Sequence, residues 1–458
     1  MKNQAYVRVN QSQEILDYLQ QVESNARSYP RHVPAALQSG SDATVTDVDG
    51  NVFIDCLSGA GTLATGHNHP DIVAALKKFL DDGHLLHGLD IATPVKRAFV
   101  EKLLGCFPEQ FRREAKIQFC GPSGADAVEA AIKLFKTYTK RTSVIAFQGA
   151  YHGMTHGALS VTGAIGPKTE IGGLMPNVHF FPYPYPYRCP FGVGGDQCFE
   201  ISANYLERTL KDPASGITKP AAVIVEVVQG EGGCIPAGVE WLKAVRRITQ
   251  ELDIPLIVDE IQTGFGRTGF MFAFEAADII PDAVLVSKAV GGGLPLSAVV
   301  YREKYDAWQP GAHAGTFRGN QMAMAAGIVT IDLINRLDLV RQSRAKGEYL
   351  RDKLEQLRQR FPVIGEVRGR GLMVGMEIVD PTGEPDSINS YPAAPKLCSL
   401  LRQEAFDNGL IVETGGRHNS VLRLLPPLVI AREELDQVVD ILAHCLKKVS
   451  DSFRPHSI

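Results

Sequence analysis

No apolar run in the sequence reaches membrane-spanning length, so no helical membrane span is expected. No CxxC pair occurs either. The eight cysteines stand singly at 56, 106, 120, 189, 198, 234, 398 and 445, which argues against a zinc site or a disulfide framework. A reducing, cytoplasmic setting is the simplest compartment for such cysteine usage. Neither sign of charge is in surplus: 47 Lys and Arg face 51 Asp and Glu, a net −4. That balance lacks the basic stripe a nucleic-acid partner needs. There is no GxxxxGK[ST] loop, which excludes a P-loop nucleotide site. The opening stretch MKNQAYVRVNQSQEILDYLQ is polar and lacks the apolar core of a secretory signal.

What is present is an ordinary enzyme composition, 45% hydrophobic over 458 residues, long enough for two domains. Through the middle of the chain, short apolar runs alternate with helical patterns. KIQFCG (116–121), SVIAFQ (143–148), AAVIVEVV (221–228), PLIVDE (255–260), AVLVSK (283–288) and LSAVVY (296–301) read as strands. ADAVEAAIKLFKTYTK (125–140) and VEWLKAVRRITQELD (239–253) read as helices. Continuous β-branched runs between amphipathic helices predict an α/β fold, a mostly parallel sheet covered on both faces. After about residue 326 a long helix is expected from QMAMAAG to QLRQRF, then the strands of a smaller α+β unit. FPYPYPYRCPFGVGG (181–195) reads as an extended surface loop. The expected division is an N-terminal segment (1–55) joining the small domain, a large domain (56–325) and a small domain (326–458).

The stretch VLVSKAVGGGLPL ends a buried run with Lys288 and follows it with three glycines. A lysine there needs a reason, because its charge is costly to desolvate. Asp259 closes the earlier strand, 29 residues before it, about one βαβ unit away. Parallel strands bring both side chains to the carboxyl edge, where open α/β sheets bind ligands. An amine and a carboxylate meeting there suit pyridoxal phosphate: the lysine forms an imine with the aldehyde, and the aspartate keeps the ring nitrogen protonated. A buried structural ion pair accounts for the same two residues. CGPSGADAVEAA supplies a phosphate site at a helix N-terminus, with Ser123 adding a hydroxyl; plain capping by Ser123 or Asp126 is the alternative. Tyr151, after the strand SVIAFQ, is placed to give an aromatic face, or is simply core.

Two further patterns compete. GFGRTG (264–269) matches the dinucleotide fingerprint GxGxxG, but Ile261, Gln262 and Thr263 separate the strand PLIVDE from its first glycine, and no capped helix follows. A nicotinamide dehydrogenase therefore stays an outside reading. His67 and His69 in GHNHP have no third ligand in sight, so a structural role is expected and no metal.

Taken together, DVDGNVFIDCLSGAGTLATGHNHP, GPSGADAVEAAIK, AYHGMTHGALS, VEVVQGEGG, LIVDEIQTGFGRTG, SKAVGGGLPL, HAGTFRGNQMAMAAG and LRLLPPLVI resemble, in family order, the class III aminotransferases, pyridoxal-phosphate enzymes of fold type I. The resemblance implies that Lys288 is the imine lysine and Asp259 the ring-nitrogen partner. It also implies that Gln262 lies near the phenolic oxygen and that Ser123, Gly124 and Ala125 bind phosphate. Tyr151, His152 and Glu226 complete the implied cofactor pocket. Thr316 would reach the cofactor phosphate of a neighbouring subunit, which implies a homodimer with shared active sites.

Glu231 in QGEGG and Arg423 in LRLLPP match the pair this family uses as a substrate switch. The arginine grips the α-carboxylate of glutamate or 2-oxoglutarate, and the glutamate neutralises it when a terminal amine is bound. Met154 stands where the family often places an arginine for a distal carboxylate. Ala60 stands where ornithine-type members carry an aromatic. SNARSYPR, SGAGTLATGHNHP, YHGMTHGALS and WQPGAHAGTFRGNQMAMAAG are most similar to the diaminobutyrate–2-oxoglutarate subgroup. That implies transfer of an amino group between L-glutamate and L-aspartate 4-semialdehyde, giving L-2,4-diaminobutyrate and 2-oxoglutarate, in a siderophore, polyamine or ectoine route. Another ω-aminotransferase, using 4-aminobutyrate or ornithine, is the alternative. A catalytically silent binding protein of the same fold is more remote, since both Lys288 and Asp259 are present.

Overall fold

The computed structural model describes residues 10–452. The first nine residues of the expected N-terminal segment, which begin the polar opening stretch, and residues 453–458 of the expected small domain lie outside the described residues. At the centre are seven strands: β1 (Ala115–Phe119), β2 (Val144–Phe147), β3 (Val178–Phe181), β4 (Ala222–Glu226), β5 (Leu256–Asp259), β6 (Ala283–Val286) and β7 (Ala298–Arg302). They lie in the order β1-β7-β6-β5-β4-β2-β3. Only β7 runs antiparallel to its neighbours in this sheet. The mostly parallel α/β fold expected from the sequence is present.

Successive residues of these strands serve two different cores. Ile145, Val223, Val225, Val258 and Val284 join one cluster, whereas Val144, Ala222, Ile224, Ile257 and Leu285 join the other. A strand with both faces buried has no polar positions to alternate, which is why the sequence reads as unbroken apolar runs. On one face lies helix α1 (Gly124–Thr139), whose buried stripe is rich in alanine: Ala127, Ala130 and Ala131. Small side chains let the helix sit close to the sheet.

Beyond the central sheet, strands Ile364–Arg370, Met373–Ile378, Glu413–Gly415 and Val421–Leu424 form a four-stranded antiparallel sheet. The N-terminal hairpin strand Val52–Asp55 pairs in parallel with Leu410–Ile411, which ties the start of the chain to its C-terminal third.

Three expectations need correction. The single long helix is two, Gln321–Arg336 and Leu339–Arg360. Asp338 between them takes a left-handed φ of 51°, which helical backbone cannot absorb. The Pro/Tyr-rich segment 181–195 is irregular but not superficial. Tyr183 and Tyr185 are buried, and the Tyr183 hydroxyl donates to the carbonyls of Glu226 and Val227 at 3.1 and 3.2 Å. Finally, β6 ends at Val286, so Lys288 sits not on the strand but at the first position of a short 3-10 turn, with φ of 51°. The glycines after it make room for a helix rather than for the lysine: a Cβ at Gly292 would lie 2.7 Å from Thr330 Oγ1 and 2.9 Å from Ala326 Cβ. Among the described residues, no helix is long and apolar enough to cross a membrane.

Candidate active site

Five strand ends meet at the carboxyl edge of the central sheet, around a cavity of about 500 Å³. After β1 the chain turns through Gly121 and Ser123 into α1. Ser123 holds the capping position, yet its side chain makes no capping hydrogen bond. Asp126 does not cap either; it accepts from the Gly121 amide and contacts His313 Nε2 at 3.2 Å. The capping alternative therefore fails for both. Ser123, Gly124 and Ala125 line the cavity, at the positive end of a 16-residue helix. After β2, Gly153 adopts φ of 126°, and a Cβ there would lie 2.5 Å from the Ala125 Cβ. That close approach holds the Tyr151–His152 turn against α1, with both residues on the cavity wall.

Asp259 and Glu226 are direct neighbours in register across β5 and β4. Both are buried. Asp259 Oδ2 accepts from His152 Nδ1 at 2.7 Å, and Oδ1 accepts from the Ile261 amide at 3.0 Å. His152 is itself fixed by its amide, which donates to Thr162 Oγ1 at 2.9 Å. Glu226 accepts from the Tyr151 and Gly230 amides at 2.8 and 3.0 Å. Burial pushes its carboxyl up to about 7, with a smaller upward push from Asp259. Glu226 thus pins the aromatic turn and the start of the Glu231 loop to one strand end.

Lys288 lines the same cavity. Among the described residues, no carboxylate lies within 4.0 Å of its amine. Burial lowers its pKa, outweighing the raising influence of Glu231 and Asp259. Gln262, at the cavity wall, donates from Nε2 to the Ala60 carbonyl at 3.0 Å.

The outer wall is built by the small antiparallel sheet. Arg423 is fully buried and holds Glu231 by two parallel bonds of 2.9 and 2.8 Å. This planar fork is the geometry expected for the switch pair. Although burial opposes ionisation of Glu231, Arg423 holds its pKa below the ordinary value. A second carboxylate shares the guanidinium: Glu413 Oε2 lies 2.8 Å from Arg423 Nη2. Burial raises the pKa of Glu413 against the lowering pull of Arg423. Tyr29, from the N-terminal segment, stands beside this cluster; burial, with Glu413 and Glu231, pushes its phenol up to about 12.

The fold thus gathers Ser123, Gly124, Ala125, Tyr151, His152, Glu226, Glu231, Asp259, Gln262 and Lys288 around one cavity, with Arg423 directly behind Glu231. Thr316 is exposed and is not among the cavity-lining residues of its own chain. Met154 lines the mouth and is half exposed. Of the described residues lining the cavity, Lys288 is the one lysine, and no arginine is among them. His67 Nε2 meets Asp55 Oδ2 at 2.7 Å. Sequence reasoning missed Glu413 and Tyr29. Glu413 carried no signal, because only the strand register sets it opposite Arg423. Tyr29 carried none beyond lying in SNARSYPR.

Pyridoxal phosphate fits this donor set. An uncapped helix start and a free hydroxyl suit its phosphate, a buried carboxylate suits its ring nitrogen, and an amine of lowered pKa suits its aldehyde.

Comparison with known proteins agrees. A family model described as aminotransferase class-III matches residues 26–446. The chain is similar to a diaminobutyrate–2-oxoglutarate aminotransferase of Rhizobium meliloti (strain 1021), 58% identical over 95% of this chain and 92% of the relative. A protein of the same description from Haemophilus influenzae is 49% identical, covering 93% and 94%. Among solved structures, a PLP-bound amine transaminase from an uncultivated Pseudomonas species superposes with a TM-score of 0.82. It is 28% identical, covering 93% of this chain and 98% of that one.

Proposed function

The chain belongs to the class-III aminotransferases, and from that premise we propose that it moves an amino group between L-glutamate and L-aspartate 4-semialdehyde. The products are L-2,4-diaminobutyrate and 2-oxoglutarate, and the cycle is reversible in two half-reactions. The observation that carries this reading is near full-length similarity to two bacterial diaminobutyrate–2-oxoglutarate aminotransferases. The forked Arg423–Glu231 pair supports it, because it equips one site for two unlike substrates.

Pyridoxal phosphate is the cofactor; when bound, it supplies an aldehyde to receive the amino group and a protonated ring to draw electrons from the reacting carbon. The side chains do the rest. Ser123 and the amides of Gly124 and Ala125 hold the phosphate at the α1 N-terminus. Asp259 keeps a proton on the ring nitrogen, and His152 fixes that carboxylate in place. Tyr151 offers the aromatic face, and Gln262 is assigned to the phenolic oxygen. Lys288, its pKa lowered by burial, would be the tether. Its Nζ then takes the proton from the amine-bearing substrate carbon and returns one there in the reverse stage. In the glutamate half-reaction Arg423 grips the α-carboxylate; in the other, Glu231 neutralises it. Thr316, exposed on its own chain, serves the phosphate site of a partner in a homodimer with shared active sites. The enzyme works in the cytoplasm.

The test is a single-turnover spectrum of the purified yellow protein with L-2,4-diaminobutyrate, ornithine, 4-aminobutyrate and glutamate, each alone. Fast bleaching of the visible band by diaminobutyrate and glutamate only is the expected result. Fast conversion by ornithine or 4-aminobutyrate, with diaminobutyrate slow, keeps the aminotransferase and discards the substrate.

A further inference from the structure

Glu413 has no part in the switch as described, yet it is the more deeply placed of the two carboxylates on Arg423. The Glu413 side chain is 9% exposed, against 34% for Glu231. It stands directly opposite Arg423 in the antiparallel register of strands 413–415 and 421–424. Its Oε2 lies 2.8 Å from Nη2, an ion-pair contact without the alignment of a hydrogen bond, while the two aligned bonds of the guanidinium go to Glu231. A single guanidinium therefore faces two carboxylates. The wall sets two acidic groups against one guanidinium, and one buried acceptor is left without an aligned donor. An unsatisfied buried carboxylate is costly, and a cation from the substrate would offset that cost.

The chemistry of ω-amines says which cation. With its terminal amine delivered to Lys288, an ω-amino acid points its other end at the outer wall. In 4-aminobutyrate that end is a bare carboxylate, which an acidic wall repels. In 2,4-diaminobutyrate it also carries an α-ammonium. Glu231 lines the same cavity as Lys288 and shares Arg423 with Glu413, so a molecule spanning from the lysine to Glu231 meets the edge of this cluster. Resting on the reading above, we propose that Glu413 receives the α-ammonium group of the amino donor and so selects α,ω-diamino acids over simple ω-amino acids. The alternative is that Glu413 merely positions Arg423 as its cross-strand neighbour.

The experiment uses the Glu413→Gln holoenzyme and reads single-turnover rate and half-saturation for two matched pairs. Diaminobutyrate is set against 4-aminobutyrate, and ornithine against 5-aminopentanoate. Members of each pair differ only in the α-ammonium. The expected result is that the preference for the ammonium-bearing member falls by about ten- to a hundred-fold, the loss of one charge-assisted hydrogen bond. Equal loss across both members of each pair, or loss confined to glutamate, overturns the proposal and assigns Glu413 to positioning Arg423. An unchanged preference overturns it as well. Matching visible spectra and melting temperatures for variant and wild type exclude a folding defect, and Glu413→Asp, which keeps the charge, should restore part of the preference. Because the second pair has the longer chain, the test still reads if diaminobutyrate is not the natural donor. Wild-type rates alone decide that question, and the variant-to-wild-type ratio decides this one.

Discussion

The inner and outer walls of the cavity are built on opposite principles. On the inner wall, Asp259 is tied to His152 and to a backbone amide, and the histidine is tied in turn to Thr162. The links through the histidine are buried, and strand register fixes the carboxylate beside Glu226. On the outer wall, Arg423 is just as buried, but its main partner Glu231 is one-third exposed. Breaking the inner pair would strand a charge in the core; breaking the outer one returns the Glu231 carboxylate to water and leaves Arg423 paired with Glu413. One wall is therefore immobile and suits chemistry common to both half-reactions. The other can change partners and suits the choice between substrates.

That contrast can be broken from either side. Lys288→Ala has the largest expected effect: loss of the visible band and no measurable steady-state transamination. Persistent turnover would remove Lys288 from its role. Asp259→Asn should keep the fold and the cavity but slow both half-reactions alike, by about a hundred-fold or more. Stopped-flow rates within a few-fold of wild type would show the inner wall to be dispensable. Arg423→Ala should act on one side only, lowering the glutamate half-reaction by about ten- to a hundred-fold while the diamine half-reaction changes less. Equal damage to both would mean that the outer wall is as fixed as the inner one.

The smallest effect sharpens the inner wall by pH. The Glu226 carboxyl, ordinarily near 4.5, is pushed up to about 7 in the fold. Below about 4.5 it is protonated folded and unfolded, so it costs nothing. Between those values the unfolded chain releases its proton first, so stability falls as pH rises, and the full penalty stands above 7. Glu226→Gln mimics the protonated form. Its melting temperature relative to wild type should therefore rise between pH 5 and pH 8, by an amount equivalent to about 2 kcal/mol or less. A flat difference would show that Glu226 titrates normally.

The inner wall was legible from the sequence and the outer one only in part, for a physical reason. The continuous apolar strands mark their own ends, and parallel pairing puts those ends on one edge, so Asp259, Lys288, Ser123 and Tyr151 could be placed from local pattern. The turn that carries Lys288 could not, because a left-handed backbone at a lysine leaves no mark in the local pattern. Tyr183 and Tyr185 read as loop residues since prolines surround them; their burial depends on Trp241 and Glu377, far along the chain. Arg423 and Glu231 came from family resemblance. Glu413 and Tyr29 reach the site only through an antiparallel register and a returning N-terminal segment, neither of which leaves a periodic trace.

The left-handed backbone at Lys288 has an evolutionary consequence. A lysine in that conformation costs about 1–2 kcal/mol relative to a residue that adopts it freely. Glycine or asparagine at 288 would relax the turn, so a screen for heat resistance alone would reward replacing the one residue that turnover cannot lose. Thermostable descendants of this chain should therefore gain their stability elsewhere, and the strained turn should persist as the signature of selection for activity.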